Sequence, residues 1–251
     1  MSDTRLGGFA LLRLEKLSKT YRGSNVRAVD DLDLGVRAGE IFGFLGPNGA
    51  GKTTTIKMIV GLLKPDQGKI TVDGVDALAR PLEAKGRIGF APDTPELYDK
   101  LTGREYLSFI ADVFEVPAGE RNRRAGEILE IFELKDALDD VIQSYSHGMK
   151  QKLAVTAALL HRPPLLVLDE PMTGLDPKAQ HAFKDYMRHH CDEGKAVFFS
   201  THILEVAERL CDRIGIINKG RLVAVGTMAE LRSLAAGEST LESIFLELTQ
   251  A

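Results

Sequence analysis

Apolar and polar residues change their spacing several times along the chain, and each change marks an element. In residues 11–36 apolar side chains recur with a period near two, as at Val29, Leu32, Leu34 and Val36. That spacing predicts strands with one buried face. Ala38, Gly39 and Glu40 read as a turn, and residues 41–45 form a short apolar run, the pattern of a buried strand. A glycine-rich loop follows, and residues 56–63 carry helical spacing. After a turn at 64–68, residues 69–72 and 87–91 read as two further strands.

The texture then becomes helical. Thr102 and Glu105 have the spacing of a capping box ahead of Leu107, Ile110, Ala111 and Phe114. Residues 120–134 are charged on one side and apolar through Ile128, Leu129, Ile131, Phe132 and Leu134. Residues 93–159 therefore read as a mostly helical insertion. Beyond it, strand and helix patterns alternate through 165–169, 179–190, 196–200, 202–210 and 214–217. Such alternation predicts a mainly parallel sheet covered by helices. The expected fold is α/β with an antiparallel β portion on the N-terminal side and an inserted helical subdomain. Residues 1–92 with 160–225 would make the discontinuous core, 93–159 the helical part and 226–251 a helical tail.

Bulk composition narrows the function classes. The chain has 251 residues, enough for one large core or two modest domains. With 44% hydrophobic and 27% charged residues it is an ordinary globular sequence. Its 32 basic against 36 acidic side chains argue against nucleic acid as a partner, which needs a clustered excess of Lys and Arg. Cys191 and Cys211 fit no metal-ligand or Cys-x-x-Cys spacing and read as reduced thiols. The apolar residues 9–12 are too short for a signal-peptide core. No stretch approaches the ~18 consecutive apolar residues of a membrane helix. The expectation is a cytoplasmic chain, for which any membrane role must come through a partner.

Chemistry concentrates at strand ends. Gly46-Pro47-Asn48-Gly49-Ala50-Gly51-Lys52-Thr53 matches G-x-x-x-x-G-K-[ST] without a gap. The glycines let the loop curl so that successive N–H groups point at phosphate oxygens. The helix beginning near Gly51 adds the positive end of its dipole. Lys52 supplies a full charge to the β- and γ-phosphates, and the Thr53 hydroxyl can ligate Mg²⁺. Thr54, next in line, joins the same nucleotide-binding set. A chance glycine-rich turn is the bland reading, but strand, loop and helix come in the order the mechanism requires. These features extend the fold expectation to the P-loop NTPase kind, with a RecA-like sheet.

The second chemical feature is the apolar run 165–168 ending in Asp169 and Glu170. Ligands of parallel sheets sit at the C-terminal strand ends. Asp169 would hold Mg²⁺, and Glu170 would orient and polarise the attacking water. Alone, the pair could also be a helix cap at a strand exit.

Tyr145-Ser146-His147-Gly148-Met149 resembles the LSGGQ signature of ATP-binding cassette (ABC) proteins, with Ser146 23 positions before Asp169. That resemblance implies a second helix N-terminus aimed at a γ-phosphate, with Gly148 and the Ser146 hydroxyl as contacts, facing the phosphate loop of a second copy. Tyr21 looks like the aromatic residue that stacks on adenine; a Tyr packing at a strand end is its bland reading. Gly174-Leu175-Asp176 resembles the loop that crosses between subunits. His202 looks like the histidine that hydrogen-bonds the γ-phosphate; alone it would read as a capping or surface residue.

Two positions depart from the family pattern. His147 stands where Gly is usual. Asp93 stands where Gln is usual; it keeps an oxygen ligand for Mg²⁺ or water, but adds charge and, ionised, donates no hydrogen bond. The resemblance implies an ATPase using ATP and Mg²⁺, with Lys52, Glu170 and His202 catalytic and Thr53, Asp169 and Asp93 at the metal. Its partners would be a second nucleotide-binding subunit (identical or a paralogue) and a membrane permease. The competing expectation is a soluble ABC ATPase acting on DNA or ribosomes, although the coiled-coil or zinc modules of that class are not visible. Residues 241–249 resemble the short ending of ABC-2-type exporter ATPases and also read as an amphipathic helix packed on the core. Export is the expected direction, with the permease docking near Leu97, Tyr98 and residues 101–106.

Overall fold

The computed structural model describes residues 10–23, 25–234 and 240–250. The strands in chain order are β1 (Ala10–Thr20), β2 (Arg27–Arg37), β3 (Ile41–Leu45), β4 (Gln67–Val72), β5 (Val75–Asp76), β6 (Ile88–Ala91), β7 (Leu165–Asp169), β8 (Ala196–Thr201), β9 (Arg213–Asn218) and β10 (Arg221–Gly226). The helices are α1 (Lys52–Ile59), α2 (Pro81–Lys85), α3 (Gly103–Val113), α4 (Ala118–Ile131), α5 (His147–Leu159), α6 (Pro177–Asp192), α7 (Leu204–Leu210), α8 (Met228–Leu234) and α9 (Leu241–Gln250).

Two sheets form. One is antiparallel, in the order β2-β1-β4-β5. Its β1 and β2 pair Leu12 with Val36 and Leu14 with Leu34. Their alternation is broken where register shifts and where Lys16 and Asp31 adopt left-handed backbone. That break is why Val29 and Leu32, three apart, are both buried. The other sheet runs β10-β9-β3-β8-β7-β6. Its five strands β3, β6, β7, β8 and β9 are parallel, and β10 returns antiparallel to β9.

The buried central strands serve two cores at once, because successive side chains point to opposite faces. Phe42, Phe44, Leu165, Val167, Ala196 and Phe198 join α1 and the antiparallel sheet in one apolar cluster. Ile41, Leu166, Leu168, Val197 and Phe199 join residues of α3, α4, α5 and α6 in another. A side chain buried this fully contributes roughly 1.5–3 kcal/mol. A third cluster holds Leu45, Ile214 and Ile216 under Leu231, Leu241 and Ile244, so the tail helix packs on the core as its apolar spacing predicted.

Several boundaries differ from the pattern. The helical spacing of 56–63 overruns α1, which ends at Ile59 because Gly61 turns left-handed at φ +70°. The helix expected at 120–134 runs 118–131 instead, leaving Phe132 and Leu134 buried beyond its end. β5, α2 and β10 carried too short or too irregular a pattern to be anticipated. The expected segments at 1–92 and 226–251, and the apolar residues 9–12, include positions outside the described residues. Among the described residues no helix is long and apolar enough to cross a membrane.

Candidate functional site

Strand register brings the chemical residues to one edge. Leu45 pairs with Thr201, Asp169 with Ser200, and Ala91 with Leu168. The residues that follow these strands, including Gly46, Asp93, Glu170 and His202, therefore emerge together at the C-terminal edge of the parallel sheet, where such sheets bind ligands.

The loop between β3 and α1 can only be built with glycine at two points. A Cβ on Gly46 would lie 2.4 Å from the Ile217 carbonyl oxygen. Gly51 has φ +111°, and a Cβ there would lie 2.4 Å from the Ala28 carbonyl oxygen. The loop is tied to the hairpin after β9 by the Gly220 N–H, which donates to the Ala50 carbonyl at 2.9 Å. Within it, the Lys52 ammonium donates to the carbonyls of Gly46 at 2.6 Å and Pro47 at 3.3 Å. Burial lowers the Lys52 pKa, and the charges of Glu170 and Asp169 oppose that shift. Both carboxylates thus act on the same ammonium. Half-exposed Tyr21 lies beside α1, with its hydroxyl 3.2 Å from Thr54 Oγ1.

Asp169 is buried, and its two oxygens are held separately. Ser200 Oγ donates to Oδ1 at 2.5 Å, and Thr53 Oγ1 donates to Oδ2 at 3.3 Å. Burial raises the Asp169 pKa; the hydrogen bonds from Ser200 and Thr53 lower it, and the charges of Glu170 and Asp93 add to the rise. A cavity of about 560 Å³ opens here, lined by Thr53, Lys57, Phe90, Asp93 and Asp169 among others. Hydroxyl and carboxylate oxygens are the donors a hard divalent cation prefers. No cluster of three His, Cys, Asp or Glu side chains suited to a metal exists among the described residues. A cation at Thr53 and Asp169 would complete its shell with ligand oxygens and water, as Mg²⁺ usually does.

Glu170 has left-handed backbone, φ +49°. For a residue with a Cβ this costs on the order of 1–3 kcal/mol and persists only where the surroundings hold it. Its N–H donates to both the carbonyl and the hydroxyl of Ser200, each at 3.2 Å. Its Oε2 accepts from the His202 N–H at 3.3 Å and lies 3.0 Å from His202 Nδ1. The sequence reading missed Ser200. The available signal was a pair of hydroxyl residues, Ser200 and Thr201, ending an otherwise apolar strand.

A second cluster collects the remaining predicted residues. Ser146 caps α5 by accepting from Met149 N–H at 3.2 Å. Gly148 meets Gly174 so closely that a Cβ would sit 2.4 Å from the Gly174 carbonyl oxygen, and the His147 ring packs on the same Gly174. Asp176 caps α6: Oδ1 accepts from Ala179 N–H at 2.9 Å, and Oδ2 pairs with Lys152 Nζ at 3.0 Å. The backbone hydrogen bond and Lys152 hold its pKa down at about 2. Each Asp176 oxygen thus has a partner inside the chain, and the side chain stays about half exposed. None of Ser146, Gly148 and Asp176 lines the cavity at Thr53 and Asp169.

Comparisons with known proteins fit this geometry. A family profile described as ABC transporter matches residues 29–173. The linearmycin resistance ATP-binding protein LnrL of Bacillus subtilis (strain 168) is 38% identical over 232 residues, covering 92% of this chain and 74% of that protein. A solved ATP-binding subunit of an ABC transporter superposes with a TM-score of 0.90 at 36% identity, covering 95% of this chain and 99% of that one. The ATP-binding cassette MJ0796, solved as a dimer in a post-hydrolysis state with ADP and Pi, gives 0.78 at 25% identity, covering 86% and 98%.

Proposed function

The chain belongs to the ABC transporter family as an ATP-binding, ATP-hydrolysing subunit, and we propose that two such cassettes pair to drive export through a separate membrane permease. One observation carries the proposal: Lys52, Thr53, Asp169, Glu170 and His202 meet at one sheet edge beside an open cavity.

ATP would lie on the loop 46–53, with its phosphates against the loop N–H groups and the start of α1. Lys52 would leave the carbonyls of Gly46 and Pro47 for the phosphates, and Thr54 would line the same pocket. Tyr21 would stack on the adenine. Thr53 and Asp169, with Asp93 from the cavity wall, would hold Mg²⁺, whose charge offsets that of the phosphates. Glu170 would take the proton of the attacking water, and His202, already on its carboxylate, would turn toward the γ-phosphate.

Pairing explains the second cluster. Ser146 and Gly148 stand at a helix N-terminus away from this chain's own phosphate loop cavity, so they would serve the ATP of the partner cassette, with Asp176 in the loop between. The dimeric state of the related cassette MJ0796 supports this. Residues 93–159 would move against the core as ATP is bound and released.

The permease would dock in a groove of about 290 Å³ lined by Phe90, Leu97, Tyr106, Ile110 and Phe114 among others. Tyr98, 58% exposed, follows Leu97 in sequence, lies 6.2 Å from the Tyr106 ring and meets Phe109 edge-on at 5.6 Å. Such docking would hold the chain at the cytoplasmic face of the membrane. The likeness to a linearmycin resistance protein favours outward transport.

Equilibrium ATP binding by the purified chain and its Lys52→Ala variant tests this reading. A buried charge-assisted contact is worth about 1.5–3 kcal/mol, so ATP should bind the variant roughly 10–100-fold more weakly. Equal affinity in both would remove the loop from nucleotide binding.

A further inference from the structure

Ser200 is the next-to-last residue of β8, and the residues before it, Ala196, Val197, Phe198 and Phe199, are all apolar and buried. Its side chain is fully buried as well. A hydroxyl in such a place is retained only if its donor and acceptor are both used. Both are. The O–H donates to Asp169 Oδ1 at 2.5 Å, and the oxygen accepts from the Glu170 N–H at 3.2 Å.

We infer that Ser200 is a positioning residue for ATP hydrolysis: one hydroxyl fixes both the metal-side carboxylate of Asp169 and the left-handed turn that aims Glu170. The inference rests on the roles given above to Asp169 and Glu170. Without the hydroxyl, Asp169 keeps only the bond from Thr53, at 3.3 Å, and its carboxylate is free to rotate about that contact. The Glu170 N–H keeps only the Ser200 carbonyl, and the turn toward His202 loosens. The phosphate loop is untouched, because Lys52 is held by Gly46 and Pro47. Loss of Ser200 therefore separates binding from turnover.

The experiment compares the full chain with Ser200→Ala and Ser200→Thr, measuring kcat and KM for ATP with Mg²⁺, ATP affinity at equilibrium, and thermal melting. Removing an outer partner of a metal-ligating carboxylate typically costs about 10–100-fold. For Ser200→Ala the expected result is a kcat lower by that factor, with ATP affinity and melting close to the parent. Ser200→Thr, which keeps the hydroxyl, should recover most of the rate. The proposal is overturned by a Ser200→Ala enzyme with the parent kcat, or by a rate loss matched by equal losses of ATP affinity and melting temperature. It is also overturned if Ser200→Thr turns over no faster than Ser200→Ala while both melt like the parent. A parent chain without Mg²⁺-dependent ATPase activity would sink the functional reading and this proposal together. A normal parent with an unaffected Ser200→Ala sinks this proposal alone.

Discussion

Asp93 occupies the wall of the cavity that also holds Thr53 and Asp169, and its charge raises the Asp169 pKa. A carboxylate there is unfavourable unless a cation sits between the two. Replacing it with the neutral isostere, Asp93→Asn, should raise the Mg²⁺ concentration needed for half-maximal ATPase roughly tenfold. Superimposable Mg²⁺ titrations would place Asp93 away from the ion. Most residues of this site were legible one by one, because a gapless phosphate loop and an Asp-Glu strand end each need a specific chemistry. What stayed hidden were relations between residues. Ser200 and Glu170 lie 30 positions apart, and only the parallel register of β7 and β8 sets Asp169 against Ser200. The bond of Asp176 to Lys152 was hidden in the same way, because it depends on how the start of α6 lies against α5.

At the scale of elements, periodicity located the long segments well, and local backbone chemistry decided their ends. The Thr102–Glu105 capping box exists as its spacing predicted. The apolar pattern of α1 continued to Leu63 because a turn can also bury one side, while Gly61 ended the helix two residues past Ile59. β10 went unread, although Lys219 and Gly220, both left-handed, make the two-residue turn that pairs it with β9. On α6, His190 is only 3% exposed, and its pKa is lowered from 6.5 to about 4, chiefly by burial, with Lys195 and His189 contributing and Glu193 opposing. The unfolded chain binds a proton near pH 6.5, whereas the folded chain refuses it until about pH 4. Stability is therefore full above pH 6.5 and is lost as pH falls toward 4, by about 3 kcal/mol at most for this residue. His190→Leu should lose less melting temperature than the parent between pH 7 and pH 4.5. Parallel melting curves over that range would contradict it.

For the whole molecule, the sequence reached the α/β class and the helical insertion, because strand and helix periods differ so clearly. It did not reach the two-sided sheet core, since an unbroken apolar run such as residues 165–168 looks the same whichever face each side chain serves. Nor did it show that the helices of residues 103–159 share a core with that sheet. This sharing ties the groove proposed for docking to the nucleotide edge through β6, which runs from the groove at Phe90 toward Asp93. Charge introduced by Leu97→Asp and Tyr98→Asp should abolish recovery of the chain with its permease while basal ATPase remains. An intact complex would move docking elsewhere.

The central claim is that the cassette hydrolyses ATP at a site completed by a second copy. Size-exclusion chromatography of Glu170→Gln with saturating ATP and Mg²⁺, run beside its hydrolysis rate, tests it most directly. Removing the base while keeping the shape should leave ATP bound, slow hydrolysis by at least about 100-fold and shift the chain to a dimer. A monomer under those conditions, or hydrolysis at the parent rate, would contradict the account.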